Sequence, residues 1–459
     1  MTSNYKKNKK LLNAKQVGSI FFVTPNPNRG IGLEEEIKDY HIICSQKTDL
    51  VDCLKNEKIS ILCLDDDNIK SSGKLLESKK VLDYIKKQSK QKTANIITFK
   101  PSPKIHKICK DNGFRYLGND WRLNRKLEDK VEFVDITNRL KIPNAKSRII
   151  KIEDQERFKD KFNFKNKNKY VIQLPRGYSG NSTFLIENKN DLEKIVEKYE
   201  NRIVKFSKYI EGDAYTLNVC VGNFGIVVSQ LIYQITGLTL FNKNQLGTSG
   251  NDYVYSERLS SIEKKRIFNY TKKIGKYMAQ LGYQGIFGLD LIIDKNDVNL
   301  IEINPRFVGS IPAFTKLQLQ NQEVSFLFLH LSEFLGLNVD SELLLEDLSY
   351  EKWNKQNIFS FSQLVLRNTK DVPIKIVEPM VSGVYKFDQD KLILKNKTYN
   401  FKNLNDKEVL VQCLKKNSIV SPDTEYANIQ FGYGIIEHNH IKKEYKKIVE
   451  TILNNIQLK

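Results

Sequence analysis

The sequence predicts a multidomain α/β protein, and three observations carry this prediction. Short apolar runs alternate with segments of helical apolar spacing up to about residue 120. Further along, two apolar runs at 288–294 and 300–306 flank a short polar turn, the pattern of a β-hairpin. The length of 459 residues is enough for about two to four domains with a sizeable core.

The composition indicates a globular chain, with 40% hydrophobic and 10% aromatic residues. Residues 1–16 are basic and lead into no apolar signal core, so we expect a disordered arm rather than a secretion signal. No apolar run is long enough to span a bilayer, so we expect no membrane partner. The six cysteines form no C-x-x-C pair, which favours reduced, mostly buried thiols and a cytoplasmic location.

The formal net charge of +20 could serve binding to nucleic acid. The lysines, however, are spread along the whole chain, and no recognisable nucleic-acid module accompanies them. We therefore do not expect a dedicated nucleic-acid surface. The same positive field would attract an anionic substrate such as ATP.

The first 120 residues predict a Rossmann-like parallel α/β domain, because predicted strands alternate with predicted helices. The turn 28–32 follows the first strand but is not a full G-x-G-x-x-G, so it carries little weight as a dinucleotide site. The predicted strands are 18–24, 41–44, 59–64 and 95–99, and the predicted helices are 74–90 and 105–112.

The middle of the chain predicts a hairpin with strands 170–175 and 184–186. Its tip, 176–183, is rich in Gly, Ser and Asn, and such a tip can present backbone N–H groups to an anion. An ordinary hairpin turn explains the same residues. The polar stretch 237–252 is predicted to be a long functional loop. The other predicted elements here are helices at 121–140, 191–200 and 261–281 and strands at 202–210, 214–221 and 225–235.

The hairpin at 288–306 is the most informative stretch. Side chains alternate faces along a strand, so Glu302 and Asn304 project to one face, and Asp290 on the first strand can lie across from them. Two carboxylates and an amide oxygen are hard ligands that suit Mg²⁺. Arg306 returns to the same face and can reach a phosphate oxygen.

The last quarter of the chain predicts a small mixed β/α domain. His438 and His440 form an H-x-H pair, which without a third ligand favours the start of a surface helix over a metal site. The predicted elements are helices at 312–320 and 324–335, strands at 359–366, 383–387 and 392–394, and helices at 407–415 and 440–456.

The order and spacing of these pieces over residues 18–335 resemble the ATP-grasp superfamily. The most specific part is the sequence from Glu302 to Arg306, Glu-Ile-Asn-Pro-Arg, with Asp290 twelve positions earlier on the facing strand. The resemblance implies a Rossmann-like pre-ATP-grasp domain over 17–120 and an ATP-grasp domain over 121–340, with a lid subdomain at about 145–206. A C-terminal mixed β/α domain would occupy 341–459.

The resemblance also implies a nucleotide site. The stretch 208–212 resembles the family hinge, where backbone groups meet adenine and an acidic side chain, here Glu211 or Asp213, holds the ribose. Lys130 resembles the linker lysine that contacts the ATP phosphates. The residues that the resemblance places around ATP are Lys130, Gln173, Arg176, Gly177, Ser179, Gly180, Lys208, Tyr209, Ile210, Glu211 and Asp213.

Two positions depart from the family pattern. The lid usually carries a second phosphate lysine where this chain has Gln173, and many ligases carry an arginine where this chain has Gly288. Lys205, Arg176 or Arg306 could supply the missing charges.

The activity implied by the resemblance is ATP-dependent ligation. A carboxylate would be activated as an acyl phosphate and joined to an amine, from an amino acid or peptide-like substrate, with release of ADP and phosphate. Asp290, Glu302 and Asn304 would hold Mg²⁺ (or Mn²⁺), and Arg306 and Asn304 would act in catalysis. The partners would be ATP and small carboxylate and amine substrates, and a homodimer is left open.

Two alternatives stay open at this point. One is a biotin-carboxylase-like, ATP-dependent carboxylase, although no match to the arginine-rich bicarbonate segment of those enzymes lies at 221–259. The other is a basic nucleic-acid-binding protein without ligase activity.

Overall fold

The structure is a computed structural model that describes residues 3–14, 17–152, 168–177, 182–295, 297–339, 349–356, 358–402 and 404–459. The predicted disordered arm is wrong for most of its length, because Ser3–Leu12 is a helix. Leu12 is buried in the core, Lys9 pairs with Glu36 at 3.0 Å, and the Asn13 side-chain amide donates to the Glu36 carbonyl. Composition alone could not show that this basic segment has a docking surface.

The first sheet confirms the predicted parallel α/β domain. Its three central strands are buried on both faces, which is typical of a parallel sheet covered by helices. Phe21 and Val23 pack into the cluster with the helices that follow, whereas Ile20 and Phe22 pack into another cluster that contains Phe307. In spatial order the strands are Ser60–Cys63, Tyr40–Cys44, Ser19–Val23, Ala94–Thr98 and Arg115–Tyr116, and the helices are Asp49–Asn56, Ser72–Glu77, Lys79–Ser89 and Pro103–Asp111.

A small antiparallel sheet forms the region predicted as the lid. Its core is made of a few aliphatic side chains, among them Ile172, Leu192 and Val204. Residues directly opposite each other in such a sheet share a face, and Gln173 lies directly opposite Lys205. In spatial order the strands are Arg148–Lys151, Ile203–Lys208, Tyr170–Gln173 and Thr183–Ile186, and the helix Lys189–Lys198 packs on them.

The largest sheet runs through both the middle and the C-terminal part of the chain. The two parts join where Thr248–Asp252 pairs with Ser362–Arg367. The proposed domain boundaries at 120 and 340 therefore stay a prediction. The strands in spatial order are Asp297–Asn304, Gly285–Asp294, Asp213–Gly222, Ile232–Thr236, Thr248–Asp252, Ser362–Arg367, Glu425–Phe431, Glu408–Cys413, Gly383–Asp388 and Lys391–Asn396, with Gly225–Val228 paired to Asp213–Gly222.

The remaining elements cover this sheet or close the chain. Ser260 and Glu263 form a capping box that starts the long helix Ser261–Gln280. The other helices are Trp121–Leu127, Lys130–Arg139, Ile311–Gln320, Phe326–Leu335, Tyr350–Asn354 and Lys443–Asn455, and the 3-10 turns are Pro27–Arg29 and Tyr255–Arg258. The short strands are Ile374–Glu378, Ile419–Val420, Ile436–Glu437, His440–Ile441 and Gln457–Leu458.

The predicted long loop at 237–252 is wrong at its C-terminal end, because Thr248–Asp252 is a strand. Its sequence, TSGND, has no apolar residue and so gave no strand signal. Asp252 is nevertheless fully buried, and its carboxylate accepts backbone N–H groups from Val254, Tyr255, Ile435 and Ile436. Four such hydrogen bonds offset the desolvation of a buried carboxylate.

Two further predictions are corrected. The predicted helix at 407–415 is wrong, because Glu408–Cys413 is a strand whose six residues are all buried. Val409 and Val411 are β-branched, which favours a strand once neighbouring strands cover both faces. The terminal helix begins at Lys443, and His438 and His440 lie in a hairpin before it. Within the described residues, no group of three or more His, Cys, Asp and Glu side chains is arranged to hold a metal ion.

The six cysteines are free thiols, and four of them are buried. In the part of the chain that the structure describes, no helix has both the length and the apolar character needed to cross a membrane.

His330 ties the end of the first domain to the large sheet. Its Nδ1 accepts the N–H of Ile286 at 3.2 Å, so Nε2 carries the proton and donates to the carbonyl of Leu117 at 3.1 Å. A side chain at Gly285 would meet this ring, because a Cβ there would lie 2.3 Å from Nδ1. Burial lowers the pKa of His330 to about 4, so the imidazole is neutral at pH 7.

We predict that His330 makes the protein less stable as the pH falls from about 6.5 to about 4. A histidine whose folded-state pKa is depressed contributes stability above its unfolded pKa, and that stability is lost as the unfolded state binds protons. The loss due to His330 should reach roughly 3 kcal/mol. Chemical unfolding at pH 7.5 and pH 4.5 should show a smaller pH effect for His330→Gln than for the parent. The exposed His440→Gln serves as the control, and an equal pH effect in both variants would contradict this role.

Candidate functional site

A cleft of about 1500 Å³ lies where the three sheets meet. The carboxyl ends of the first sheet form one wall, the lid strands form a second, and the large sheet forms the floor and the far wall. Representative lining residues are Asn28, Gln173, Asp290, Glu302 and Gln430.

The two carboxylates predicted as metal ligands face each other on the cleft floor. Asp290 and Glu302 are directly opposite in the hairpin, and a register shift follows Asp290. The side-chain amides of Asn304 and Gln234 donate to the two oxygens of Asp290, each at 2.8 Å. We call Asp290, Glu302 and Asn304 the oxygen triad. The structure brings together all three side chains that the sequence placed there.

Burial and the neighbouring charge act together on Asp290. Burial first, and then the charge of Glu302, raise the pKa of Asp290 to about 6. Two carboxylates held this close repel each other, and a cation between them would remove the repulsion.

Three basic side chains surround the oxygen triad. Lys130 Nζ lies 3.0 Å from Glu302 Oε1, and its side chain is only 3% exposed. Its position follows from a break in the predicted 121–140 helix, because Asp129 caps a new helix that begins at Lys130.

Lys205 is the second basic group, and it is 1% exposed. Its Nζ donates to the carbonyl of Ile301 at 2.9 Å and lies 4.4 Å from the centre of the Phe133 ring. Burial lowers the pKa of Lys205 to about 7, although Glu302 acts in the opposite direction. Lys205 is the cross-strand neighbour of Gln173, so a lysine does project from this face of the lid sheet.

Arg306 is the third basic group. Its guanidinium donates to Asn304 Oδ1 at 2.9 Å and to the Phe307 carbonyl at 3.1 Å, and its Nε lies 3.4 Å from Glu128. Arg176, by contrast, is half exposed and pairs with Asp129 at 3.4 Å. The sequence suggested Lys205, Arg176 and Arg306 as replacements for the missing charges. Of these, Lys205 and Arg306 contact the strand that carries Glu302 and Asn304.

Packing explains why residue 288 is glycine and not arginine. A Cβ at this position would lie 2.6 Å from the Val308 side chain. The space that an arginine would need beside the triad is therefore taken by Val308.

Part of the predicted hinge borders the cleft. Lys208, Tyr209 and Ile210 line the cleft, whereas Glu211 and Asp213 do not. Glu211 is exposed, and Asp213 pairs with Arg258 at 2.6 Å. A ribose contact by either carboxylate stays a prediction.

Part of the predicted glycine-rich tip falls outside the described residues, namely Ser179 and Gly180. Gly177 is described and lines the cleft. A Cβ at Gly177 would lie 1.8 Å from Ser182 Oγ, so the chain needs glycine for this close approach.

The cleft residues that sequence reasoning missed include Gln234, Arg29, Arg367 and Glu425. Gln234 interrupts the apolar pattern of Ile232–Thr236, and this was a usable signal for a polar side chain facing a site. Arg29 lies in the turn 28–32, whose sequence is only an incomplete dinucleotide motif. Arg367 and Glu425 come from distant strands that pair directly, and this pairing could not be foreseen.

The oxygen triad fits a hard divalent cation. Its donors are two carboxylates and one amide, and Mg²⁺ is usually held by one or two carboxylates together with substrate phosphates. The amide of Asn304 points its nitrogen to Asp290 and its oxygen to Arg306. Exchanging these two atoms by rotating the amide would place three oxygens together.

Residues 104–310 match the sequence model of the ATP-grasp domain. The match confirms an ATP-grasp domain in this part of the chain. The arginine-specific large chain of carbamoyl phosphate synthase from Geobacillus stearothermophilus is 22% identical over 243 residues. That alignment covers 51% of this chain but only 22% of the length of the synthase chain.

Two solved structures show the same fold. Phosphoribosylamine–glycine ligase from Thermotoga maritima aligns with a TM-score of 0.57 at 14% identity, over 96% of this chain and 97% of that chain. The biotin carboxylase domain of 2-oxoglutarate carboxylase from Hydrogenobacter thermophilus, in complex with MgADP, ADP and bicarbonate, aligns with a TM-score of 0.60 at 12% identity. That alignment covers 96% of this chain and 90% of that domain. These likenesses confirm the predicted ATP-grasp architecture.

We predict that Mn²⁺ or Mg²⁺ stabilises the protein through the oxygen triad. A ligand at a hundred times its Kd raises the free energy of unfolding by about 2.7 kcal/mol. Asp290→Asn should reduce this gain, because it removes one of the two charges that attract the cation. Thermal unfolding with and without Mn²⁺ measures the gain. Asp297→Asn, at the exposed end of the same hairpin, is the matched control, and an equal gain in both variants would rule out the triad as the site.

Proposed function

We propose that the protein is an ATP-dependent ligase that activates a carboxylate as an acyl phosphate and joins it to an amine. The observation that carries this proposal is the oxygen triad, set on the cleft floor and surrounded by Lys130, Lys205 and Arg306. Carboxylates that hold a metal ion and basic side chains that contact phosphates recur in sites of phosphoryl transfer from ATP.

The nucleotide would lie between the lid and the large sheet. The backbone of 208–210 borders the cleft and would meet the adenine. Lys130 and Lys205 would hold the phosphates, because their Nζ atoms lie at the end of the cleft nearest Glu302. Gln173 would add a neutral hydrogen bond from its place beside Lys205.

The chemistry would depend on positioning and charge rather than on a protein nucleophile. A substrate oxygen attacks the γ-phosphorus of ATP, the bond from that phosphorus to the bridging oxygen breaks, and ADP leaves. Asp290, Glu302 and Asn304 would hold a divalent cation, which would neutralise charge on the phosphates of ATP. Arg306 would hold the transferred oxygens, and the lid would exclude water from the acyl phosphate.

In the second step an amine nitrogen attacks the acyl carbon and releases phosphate. The amine must reach the cleft from the side away from the adenine, since the lid and the hinge occupy the other side. This geometry leaves the wall formed by the first sheet, and the far wall formed by the C-terminal strands of the large sheet, for the substrates other than ATP. A biotin-carboxylase-like reaction would place bicarbonate there as the acid, so bicarbonate belongs in any substrate screen.

The proposal is tested by ADP and phosphate release in the presence of amino acids, small dicarboxylates and bicarbonate, without nucleic acid. Release that requires an amino acid or dicarboxylate supports the ligase. Release that requires bicarbonate alone would favour the carboxylase, and no release with any of these acids would contradict both.

We predict that Glu302→Gln leaves the fold intact and removes turnover. The amide keeps the shape of the side chain but loses the charge that holds the cation and faces Lys130. Circular dichroism checks the fold, and ADP release measures turnover. Asp297→Asn removes an exposed carboxylate at the end of the same hairpin and shows whether any loss of negative charge in the hairpin has this effect. Turnover of Glu302→Gln at the parental rate would show that the metal assignment is wrong.

We predict opposite effects on ATP affinity from two charge changes beside the phosphates. Lys130→Met should weaken ATP binding by at least about tenfold, because charge-assisted hydrogen bonds are roughly twice as strong as neutral ones. Gln173→Lys should tighten ATP binding about five- to tenfold, without a matching gain in turnover.

Nucleotide titrations of both variants measure these changes. Lys126→Met removes an exposed lysine from the preceding helix and controls for a general loss of positive charge. An unchanged Kd for Lys130→Met would mean that Lys205 alone holds the phosphates.

A further inference from the structure

A row of carboxamide side chains from the C-terminal part of the large sheet lines the far wall of the cleft. Gln363 lies directly opposite Gln430, and Gln412 lies directly opposite Asn428. All four line the cleft. We call Gln363, Gln412, Asn428 and Gln430 the amide wall.

Several polar atoms of the amide wall have no hydrogen-bond partner in the protein. Gln412 is 5% exposed, yet neither its nitrogen nor its oxygen is paired. The side-chain oxygens of Gln430 and Asn428 are also unpaired, and so is the hydroxyl of Thr48, whose backbone forms a bridge with Leu414 near Gln412. Leaving a buried polar group unpaired costs about 1–3 kcal/mol, and a polar ligand that pairs with these groups would recover that cost.

An ionic cluster lies beside the amide wall. Arg29, from the turn after the first strand, and Arg367, from the C-terminal sheet, both donate to Oε1 of Glu425, at 3.5 Å and 3.0 Å. All three side chains line the cleft. Two guanidinium groups share one carboxylate, so one positive charge of this arginine cluster is left uncompensated.

The arginine cluster is adjacent to the proposed reaction centre. The guanidinium carbons of Arg29 and Arg306 lie 4.6 Å and 5.6 Å from the centre of the same ring, that of Phe99. Gly309 makes room for this arrangement, because a Cβ there would lie 3.3 Å from Arg29 Nη1. A molecule held by the cluster would therefore reach toward Arg306.

The geometry points to a subsite for an amino acid or short peptide, with its carboxylate on the arginine cluster and its amide groups on the amide wall. This inference rests on the proposed ligase function and names the class of the substrate other than ATP. Arginine binds a carboxylate with two parallel hydrogen bonds. Carboxamides both donate and accept, as the backbone of a peptide or the side chain of an amide-bearing amino acid requires.

Charge balance favours a carboxylate over a phosphate monoester. A phosphomonoester carries about −1.5 to −2 at neutral pH, more than the one uncompensated charge of the cluster. A single carboxylate matches that charge and leaves Glu425 paired.

Binding without nucleotide tests the subsite separately from turnover. Calorimetric titration of the whole chain would use the common α-amino acids and dipeptides, their α-carboxamide derivatives, and phosphosugars such as ribose 5-phosphate. We expect a free carboxylate to bind at least about tenfold more tightly than its α-carboxamide. A phosphosugar as the best ligand, equal binding of acid and carboxamide, or no binding by any probe would overturn the inference.

Three variants complete the test. Arg367→Gln should weaken the best probe at least about tenfold, whereas Arg122→Gln removes an exposed arginine outside the cleft and should leave its affinity unchanged. Gln412→Met should weaken the probe about three- to tenfold without lowering the unfolding temperature, because the amide that it removes has no partner in the protein. A drop in unfolding temperature with unchanged affinity would show that Gln412 is merely structural.

The two proposals fail in different ways. Probe binding that depends on Arg367 and Gln412, without any probe-dependent ADP release, would contradict the ligase proposal but support the subsite. ADP release with an amino acid that neither variant affects would contradict the subsite and leave the ligase.

Discussion

The repulsion between Asp290 and Glu302 is the constraint on which the rest of the site depends. The hairpin register places both carboxylates on one face of a mostly buried sheet, where water cannot screen them well. Lys130 and Lys205 approach from two other elements, and Arg306 is held beside them through Asn304. An arrangement of this kind is stable only if each element is placed accurately, which is why the hairpin, the helix that begins at Lys130 and the lid strand must pack together.

The sequence predicted this centre well because its signals are local. Alternation along two strands separated by a short turn is enough to bring Asp290, Glu302 and Asn304 together, and the parallel first domain follows from a repeated strand and helix pattern. The strand at Thr248–Asp252 escaped prediction because its side chains are polar, and its stability comes from backbone pairing and from four amides that converge on Asp252. The sequence predicts a helix where Glu408–Cys413 is a strand. Neighbours distant in sequence bury both faces of this strand, and local sequence does not show them.

The positions of the side chains give a physical reason for both departures from the family pattern. At Gly288 the Val308 side chain takes the space that an arginine would need. Gln173 is neutral, but the residue directly across from it is a buried lysine. Because cross-strand neighbours share a face, one lysine can serve either of two positions in the lid sheet. Sequence position alone could name Lys205 as a candidate but could not show which face it occupied.

The continuity of the large sheet gives the far wall its role. The strand Thr248–Asp252 pairs on one edge with Ile232–Thr236 and on the other with Ser362–Arg367. The oxygen triad and the amide wall therefore belong to one hydrogen-bonded sheet. The first sheet is fixed against that surface by apolar packing of Phe22 with Phe307 and by the hydrogen bonds of His330. Arg29 is thereby held against Glu425 although the two residues are 396 positions apart in the chain. In a cleft assembled in this way the oxygen triad comes from one local hairpin, whereas the proposed subsite for the second substrate is formed by residues from the two ends of the sequence.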